Sequence, residues 1–206
     1  MKGVHDMGGQ PGYGAMPAQR DDEPFHADWE PIGYLCSSAA VMHGLFSADA
    51  IRYAIERIPA RDYLAMPYFE RVITGIASLY VERGLVTRAE LERHADGAFP
   101  LARPGGAREH AQRDAPAFAP GDSVTVQCTP ADSHCRAPHY VWDRRGVVIG
   151  IAPPTPFAGE AAHGDPDSVQ REPTYQVRFA ARDLWPDVDD GSSVVVDLFQ
   201  SYLARA

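Results

Sequence analysis

The residue types best suited to metal or thiol chemistry are concentrated in one short run, CTPADSHCRAPHY. It contains Cys128, His134, Cys135 and His139. Their spacing, C-x5-H-C-x3-H, matches no structural zinc pattern. Cys128 also falls on the apolar positions of a predicted strand, where a buried thiol is the ordinary explanation. This run therefore favours core packing over a metal site on this chain.

Motifs that would define a self-sufficient active site are absent from the sequence. It contains no G-x-S-x-G, GxGxxG, P-loop or HExxH pattern, and no carboxylate pair has a spacing that nominates an acid and a base. Cys36 falls on the apolar face of a predicted helix, so we expect it to lie in the core rather than to act as a nucleophile. Any chemistry must then depend on other residues or on a partner.

Two arginines allow two interpretations each. Arg52 stands beside Ile51 at the edge of an apolar helical stripe, where it can form an intrahelical ion pair with Glu56 at i+4. It can equally offer its guanidinium to an anion at an interface. Arg136 lies in a loop between predicted strands, where solvation is the default and anion binding the alternative. The sequence alone leaves both alternatives open.

The first half of the chain, residues 30–95, is predicted to be a small all-helical unit. The first helix begins near Pro31 and carries an apolar stripe at helical spacing that we expect to be buried: Ile32, Leu35, Cys36 and Ala39. Ser47 can cap a second helix, and a third begins near Pro67. Thr87 with Glu90 forms the capping box of a fourth. Aromatic residues around Pro67, which include Tyr68, are expected in the core or a pocket.

The second half changes to the alternating pattern of strands. Residues 96–117 lose periodicity and gather Pro, Gly and charge, which predicts a linker. Four or five short strands follow within residues 118–206, joined by a long Pro-rich loop at 150–173. They predict a small, partly open β-barrel of the SH3-like type. The fold class is therefore α+β multidomain, with an all-helical unit followed by this barrel.

The N-terminal residues 1–29 form the remaining part. The start MKGVHDMGGQPGYG has five glycines and no periodicity, so alone it would be a disordered tail. Alternatively it is an extended arm that becomes ordered on another surface, since glycine allows close backbone approach. It has no apolar run of the kind that a secretory signal needs, which predicts mature protein.

Composition excludes several classes of function. The 206 residues carry a formal net charge of -9 without a Lys/Arg-dense run, which argues against a nucleic-acid partner. No apolar stretch approaches the roughly 18 residues of a membrane helix. Three cysteines without an export signal favour reduced thiols and a cytoplasmic location. We therefore expect a soluble protein whose partner is neither nucleic acid nor membrane.

Several stretches, taken in order, are similar to the β subunit of nitrile hydratase. The start MKGVHDMGGQPGYG resembles the family's M-x-G-[VI]-H-D-x-G-G-x-x-G-[YF]-G opening. FHADWE, IRYAIERIPARDYLAMPYFER, GAFPLARP, SHCRAPHY, EPTYQVRFAARDLW and GSSVVVDLFQSYL also resemble family stretches. The resemblance spans essentially the whole chain.

This resemblance implies an αβ heterodimer or heterotetramer that adds water to a nitrile to give the amide. It implies an iron(III) or cobalt(III) ion held entirely by the α subunit, among cysteines of which two are oxidised. Arg52 and Arg136 match the two β-subunit arginines that hydrogen-bond to the sulfur oxygens, and Tyr68 matches a tyrosine near the metal cavity. The N-terminal arm would wrap the α subunit. The metal's identity and the nucleophile stay open.

Two features bear on this interpretation. After Tyr140 the family usually continues with a basic residue and Gly, whereas this chain reads Val141-Trp142-Asp143, which predicts a differently shaped turn after Arg136. Two alternatives also remain: an activator or metallochaperone-like partner of the α subunit, and a thiocyanate hydrolase-type subunit. Activator-type proteins resemble only the helical half, and in thiocyanate hydrolase the halves are separate chains.

Overall fold

Helices occupy the first half of the chain and an open antiparallel sheet the second. The structure is a computed structural model that describes residues 3–10, 12, 14, 23–106, 115–127, 134–164 and 168–206. We call residues 30–106 the helical unit and residues 115–206 the sheet unit. The architecture is mixed, with each unit built around its own hydrophobic core.

The helical unit contains five helices. They are α1 (Glu30–Met42), α2 (Ala48–Glu56), α3 (Ala60–Ala65), α4 (Tyr68–Glu82) and α5 (Arg88–His94). The core forms mainly between α2 and α4, where Ile51, Ala54, Val72 and Ile76 are buried with Phe46. Helix α3 was not predicted, because it follows a proline and is only six residues long.

The predicted helix boundaries are confirmed at three places. Ser47 caps α2 by accepting a hydrogen bond from the Ala50 backbone N–H at 2.9 Å. Helix α4 begins directly after Pro67. Thr87 and Glu90 form both hydrogen bonds of a capping box on α5. These boundaries depend on local chemistry, which explains why a sequence can reveal them.

The predicted buried stripe of α1 is wrong. Ile32, Leu35 and Cys36 are exposed, with Leu35 at 63%, whereas Glu30, Gly33 and Ala40 face the protein. A Cβ at Gly33 would lie 2.7 Å from Ile73 Cδ1, so the small residue lets α1 approach α4 closely. Periodicity identified an apolar face, but not the body that covers it. Cys36 is consequently an exposed free thiol and not a core residue.

The described residues of the sheet unit form five strands in the order β4-β3-β2-β1-β5, with antiparallel neighbours throughout. They are β1 (Ser123–Val126), β2 (Arg145–Pro156), β3 (Arg171–Ala180), β4 (Ser193–Phe199) and β5 (Leu203–Arg205). Two short helices, α6 (Ala158–Ala161) and α7 (Ala181–Leu184), follow β2 and β3. The alternation of Val124, Val126, Tyr175, Val177 and Phe179 is confirmed, since all five are buried.

The predicted loop at 150–173 is wrong over much of its length. Strand β2 continues through Pro153 and Pro154 to Pro156, and β3 begins at Arg171. Residues 152–156 pair only with β3 and are largely exposed, a position in which prolines are tolerated because no second ladder needs their missing N–H. The register shifts between Ala152 and Thr155, so the prolines fall at an irregularity.

The state of the cysteines differs from the prediction. Cys135 is disulfide-bonded, so the expectation of three reduced thiols is wrong; an odd cysteine count says nothing about which thiols meet in the fold.

Within the described residues, no helix is both long enough and apolar enough to cross a membrane.

Candidate functional site

His134, in the sheet unit, joins the two units through contacts with α2. Its side chain is fully buried, and Nδ1 lies 2.9 Å from Oε2 of Glu56 on α2. Nε2 faces Asp49 Oδ1, also on α2, at 3.5 Å and without hydrogen-bond geometry. The ring also lies 6.0 Å from that of Tyr53. A loop of the sheet unit is thus held against α2 by a buried ionisable contact.

The two carboxylates favour a charged His134. Burial by itself would lower the pKa of His134, but the interactions with Asp49 and Glu56 outweigh it, and the pKa is raised. Burial by itself would raise the pKa of Asp49, but His134 and Arg52 outweigh it, and that pKa is lowered. The two carboxylates therefore favour the protonated form of His134 more strongly than water favours that of a free imidazole.

Arg52 is bound to the same cluster. Its Nη1 donates to Asp49 Oδ1 at 3.0 Å, an i−3 contact along α2. Arg52 therefore pairs with Asp49 and not, as the simple interpretation had it, with Glu56, whose Oε2 faces His134. The bond to Asp49 uses one of the five N–H donors of a guanidinium, and 49% of the side chain is exposed. Asp49 thus orients an arginine that still presents donors to the surface.

Arg136 lies two residues beyond His134 and is also exposed. Its backbone N–H donates to the hydroxyl of Tyr202 at 3.2 Å. Burial chiefly raises the pKa of Tyr202 to about 12, so this acceptor stays protonated at ordinary pH. The backbone of Arg136 is therefore fixed while its side chain extends outward.

The turn after Arg136 is closed by the residues that depart from the family pattern. His139–Val141 form a short 3₁₀ helix, and Val141 is completely buried. The Trp142 indole N–H donates to the Ala137 carbonyl at 2.8 Å, while its ring lies 4.9 Å from that of His139. This turn therefore has a defined conformation that depends on Trp142.

Tyr68 lies at the start of α4, in an aromatic group rather than in the core. Its side chain is 69% exposed and packs edge-on against Phe69 at 5.0 Å between centroids. Phe69 contacts Phe25, which in turn contacts Tyr34 of α1. The described contacts do not link Tyr68 with either arginine. The structure thus joins Arg52 and Arg136 through His134, and gives Tyr68 a separate surface position.

An apolar face on α1 continues this aromatic group. Tyr34 belongs to both, and α1 and its flanks expose further large apolar side chains: Trp29, Ile32, Leu35, Val41, Met42 and Leu45. We call this set the α1 face. Several large exposed apolar side chains on one helix favour an interaction surface. Phe46, by contrast, is buried in the helical core.

The contact of His134 with Asp49 and Glu56 was not predicted from the sequence. Asp49 and Glu56 flank Arg52 at −3 and +4, which places all three on one side of α2. That spacing is a signal, but their shared partner lies 78 residues after Glu56. Only the fold reveals such a contact.

Metal-ligating groups are not assembled in the described part of the chain, where no cluster of three or more His, Cys, Asp or Glu residues could hold an ion. His134 is paired with carboxylates and Cys135 is disulfide-bonded. Cys128 lies outside the described residues. The structure instead presents exposed arginine N–H donors and, separately, the exposed apolar side chains of α1, which together have the character of a subunit surface.

Comparisons with known proteins agree with this character. The N-terminal model of the nitrile hydratase beta subunit matches residues 1–116, and the C-terminal model matches residues 107–205. The chain is 42% identical over 215 residues to the nitrile hydratase subunit beta of Rhodococcus erythropolis, with all of both chains covered. It is 38% identical over 213 residues to that of Pseudomonas chlororaphis, covering all of this chain and 96% of the relative.

A third relative is the low-molecular weight cobalt-containing nitrile hydratase subunit beta of Rhodococcus rhodochrous, 31% identical over 228 residues with all of both chains covered. The chain belongs to the nitrile hydratase β subunit family. Hydration of nitriles is the general reaction of the complexes that this family name denotes.

Proposed function

We propose that this chain is the β subunit of a nitrile hydratase and acts only in complex with an α subunit, as an αβ heterodimer or its tetramer. The observation that carries the proposal is the match of both family models, which together cover residues 1–205. An accessory protein that resembled only one half would not give this match. The substrate is a small nitrile and the product its amide.

The metal of this complex would be an iron(III) or cobalt(III) ion held by the α subunit. The described residues of this chain offer no cluster for it, and two relatives are named as cobalt-containing. Such an ion supplies Lewis acidity for the addition of water. The contribution of the β chain is then limited to binding, orientation and hydrogen bonding.

Arg52 and Arg136 are proposed to donate hydrogen bonds to the oxidised cysteines of the partner. Sulfur oxygens buried at an interface need charged donors in fixed geometry, because an unpaired buried anion costs several kcal/mol. Both arginines are exposed in this chain. Asp49 orients the first through its side chain, and Tyr202 fixes the backbone of the second. This combination of held backbone and available guanidinium supports the role.

The α1 face is proposed to dock on the α subunit, with Tyr68 beside the substrate cavity as a hydrogen-bond donor. Large apolar side chains that α1 turns away from its own core support this assignment. The N-terminal arm, residues 1–29, would also contact the α subunit, while its residues 3–10 contact the sheet unit of their own chain. The remaining division, a helical domain at 30–95, a linker at 96–117 and an SH3-like barrel at 118–206, completes the proposed architecture.

The test is nitrile hydration by the chain co-expressed with its α partner, beside each chain alone. An Arg52→Lys variant keeps the charge but removes the fork of donors. Arg88→Lys is the matched control, since Arg88 forms an exposed i,i+4 pair with Glu92 on α5. Complex formation is measured for every variant by size-exclusion chromatography.

We expect activity only in the complex, strongly reduced in Arg52→Lys and unchanged in Arg88→Lys while assembly is retained. Full activity of Arg52→Lys would remove that residue from the site. A metal-loaded complex without nitrile hydration would contradict the proposed function itself.

A further inference from the structure

Residues 3–10, which we call the N-terminal strap, lie on the sheet unit of their own chain. The strap consists of two successive turns, closed by the hydrogen bonds Asp6 N–H to Gly3 O at 3.1 Å and Gln10 N–H to Met7 O at 3.3 Å. The Gln10 amide also donates to the Asp6 carbonyl at 3.0 Å, which connects the turns. The strap is therefore a folded element.

Asp6 caps the turn that follows Arg136. Its Oδ2 accepts a hydrogen bond from the His139 backbone N–H at 2.9 Å. His139 begins the 3₁₀ helix, whose first N–H groups have no partner within the helix. Pro138, the residue before it, has no side-chain acceptor. A residue 133 positions away thus supplies the cap that the local sequence lacks.

Gly9 fixes the other end of the strap on two aromatic rings. Its carbonyl accepts a hydrogen bond from the Trp185 indole N–H at 2.6 Å. A Cβ on Gly9 would lie 2.8 Å from Tyr140 Cδ1 and 2.9 Å from Trp185 Cζ2. Gly9 also has φ +70°, a conformation that side chains rarely adopt. Glycine is thus required for contact and for backbone shape.

The loop that carries Arg136 is consequently held on both sides. Before Arg136, His134 is joined to α2; after it, His139 is joined to Asp6 and Tyr140 is covered by Gly9. Burial and the nearby Asp6 carboxylate raise the pKa of Tyr140. The negative charge of Asp6 therefore lies beside the turn. The strap reaches the loop within three residues of Arg136.

We propose that the N-terminal strap is a positioning element for Arg136, with Asp6 as the positioning residue and Gly9 as its anchor. This inference rests on the proposed role of Arg136 toward the partner's oxidised cysteines. Asp6 does not touch the reacting groups; it sets the direction in which the loop presents the guanidinium. Gly9 of the opening motif then serves this chain's own turn.

The experiment compares Asp6→Ala, Asp6→Asn and Gly9→Ala in the assembled αβ complex. Asp189→Ala, a change at an exposed aspartate of the sheet unit, is the control. Two quantities are measured: backbone hydrogen exchange across residues 134–142, and kcat and KM for nitrile hydration. The exchange readout reports on the turn whether or not the metal centre is active.

For Asp6→Ala and Gly9→Ala we expect faster exchange at His139 and a kcat that falls about tenfold or more with little change in KM, since small misplacements of catalytic groups are costly. Asp6→Asn keeps an acceptor oxygen and should restore most of the activity. Unchanged exchange and kcat in Asp6→Ala would overturn the inference. Faster exchange with unchanged kcat would also overturn it.

Arg136→Lys separates this inference from the function on which it rests. If Arg136→Lys is fully active, the proposed role of Arg136 fails. If Arg136→Lys is impaired and Asp6→Ala is not, the strap inference alone fails. Adding Asp6→Ala to Arg136→Lys should cause little further loss of kcat, because both changes act through one side chain. A fully additive loss would contradict positioning.

Discussion

His134 Nδ1 lies 2.9 Å from Glu56 Oε2, across 78 positions of sequence and between two separately built cores. Arg52 lies one turn before Glu56 on α2, and Arg136 lies two residues after His134. The same contact that docks the sheet unit on the helical unit therefore brings together the segments that carry both arginines. Asp49 completes the connection, because it faces His134 and also accepts from Arg52.

Glu56→Ala should destabilise the chain measurably. It removes an oxygen that pairs with a fully buried imidazole, and such a loss costs about 1–3 kcal/mol of unfolding free energy. Glu92→Ala is the matched control: its exposed i,i+4 pair with Arg88 contributes less than about 0.5 kcal/mol. Urea unfolding of both variants measures the difference. Equal effects would mean that the His134 contact adds no stability.

The unfolding free energy should depend on pH above the ordinary histidine pKa of about 6.5 because of His134. Its raised pKa means that the folded state favours the imidazolium. The resulting stabilisation is complete below the ordinary pKa of about 6.5 and is lost as the pH rises through the raised value. We expect the unfolding free energy to fall as the pH rises above about 6.5, and this slope to shrink in His134→Asn.

Nearby groups do not give the same slope in that window. Burial chiefly lowers the pKa of His163, so its own contribution changes below about pH 6.5, and stability there increases with pH. The lowered pKa of Asp49 acts at still lower pH, where its contribution is lost on acidification. A fall in the unfolding free energy above about pH 6.5 that persists in His134→Asn would contradict the assignment to His134.

Ser47 should stabilise both helix α2 and the contact between the two units. Its Oγ caps α2 and also donates to the Ala161 carbonyl of α6, which links the units a second time. Ser47→Ala should cost about 1 kcal/mol through the cap and should also speed hydrogen exchange around α6. Thr87→Ala on α5 removes a comparable cap that has no such link. If Ser47→Ala leaves exchange at residues 158–164 unchanged, the link between units is not stabilising.

Local chemistry explains most of what the sequence predicted. The caps at Ser47 and Thr87 and the alternation around Tyr175 follow from neighbours within a few residues. The pairing of His134 with α2 could not be predicted, since it depends on how two units dock. The prediction that the α1 stripe is buried failed for a related reason. Leu35 is apolar at helical spacing whether its own chain or a partner covers it.

Substitution on the α1 face should weaken assembly without unfolding the chain. Leu35→Glu places a charge at a side chain that is 63% exposed in this structure. Its unfolding free energy should change by less than about 0.5 kcal/mol, while binding to the α subunit weakens strongly if the face is buried in the complex. Leu85→Glu, at an apolar residue of 56% exposure beyond α4, is the control. Equal binding of both variants would place the interface elsewhere.

The orientation of Arg52 and Arg136 in the assembled complex tests the account most directly. A crystal structure of the αβ complex with intact, oxidised α-subunit cysteines would give the distances from both guanidinium groups to the sulfur oxygens. We expect N···O distances of about 2.7–2.9 Å for each arginine, as for charge-assisted hydrogen bonds. Guanidinium groups turned to solvent, or separated from the sulfur oxygens by more than about 4 Å, would contradict the account.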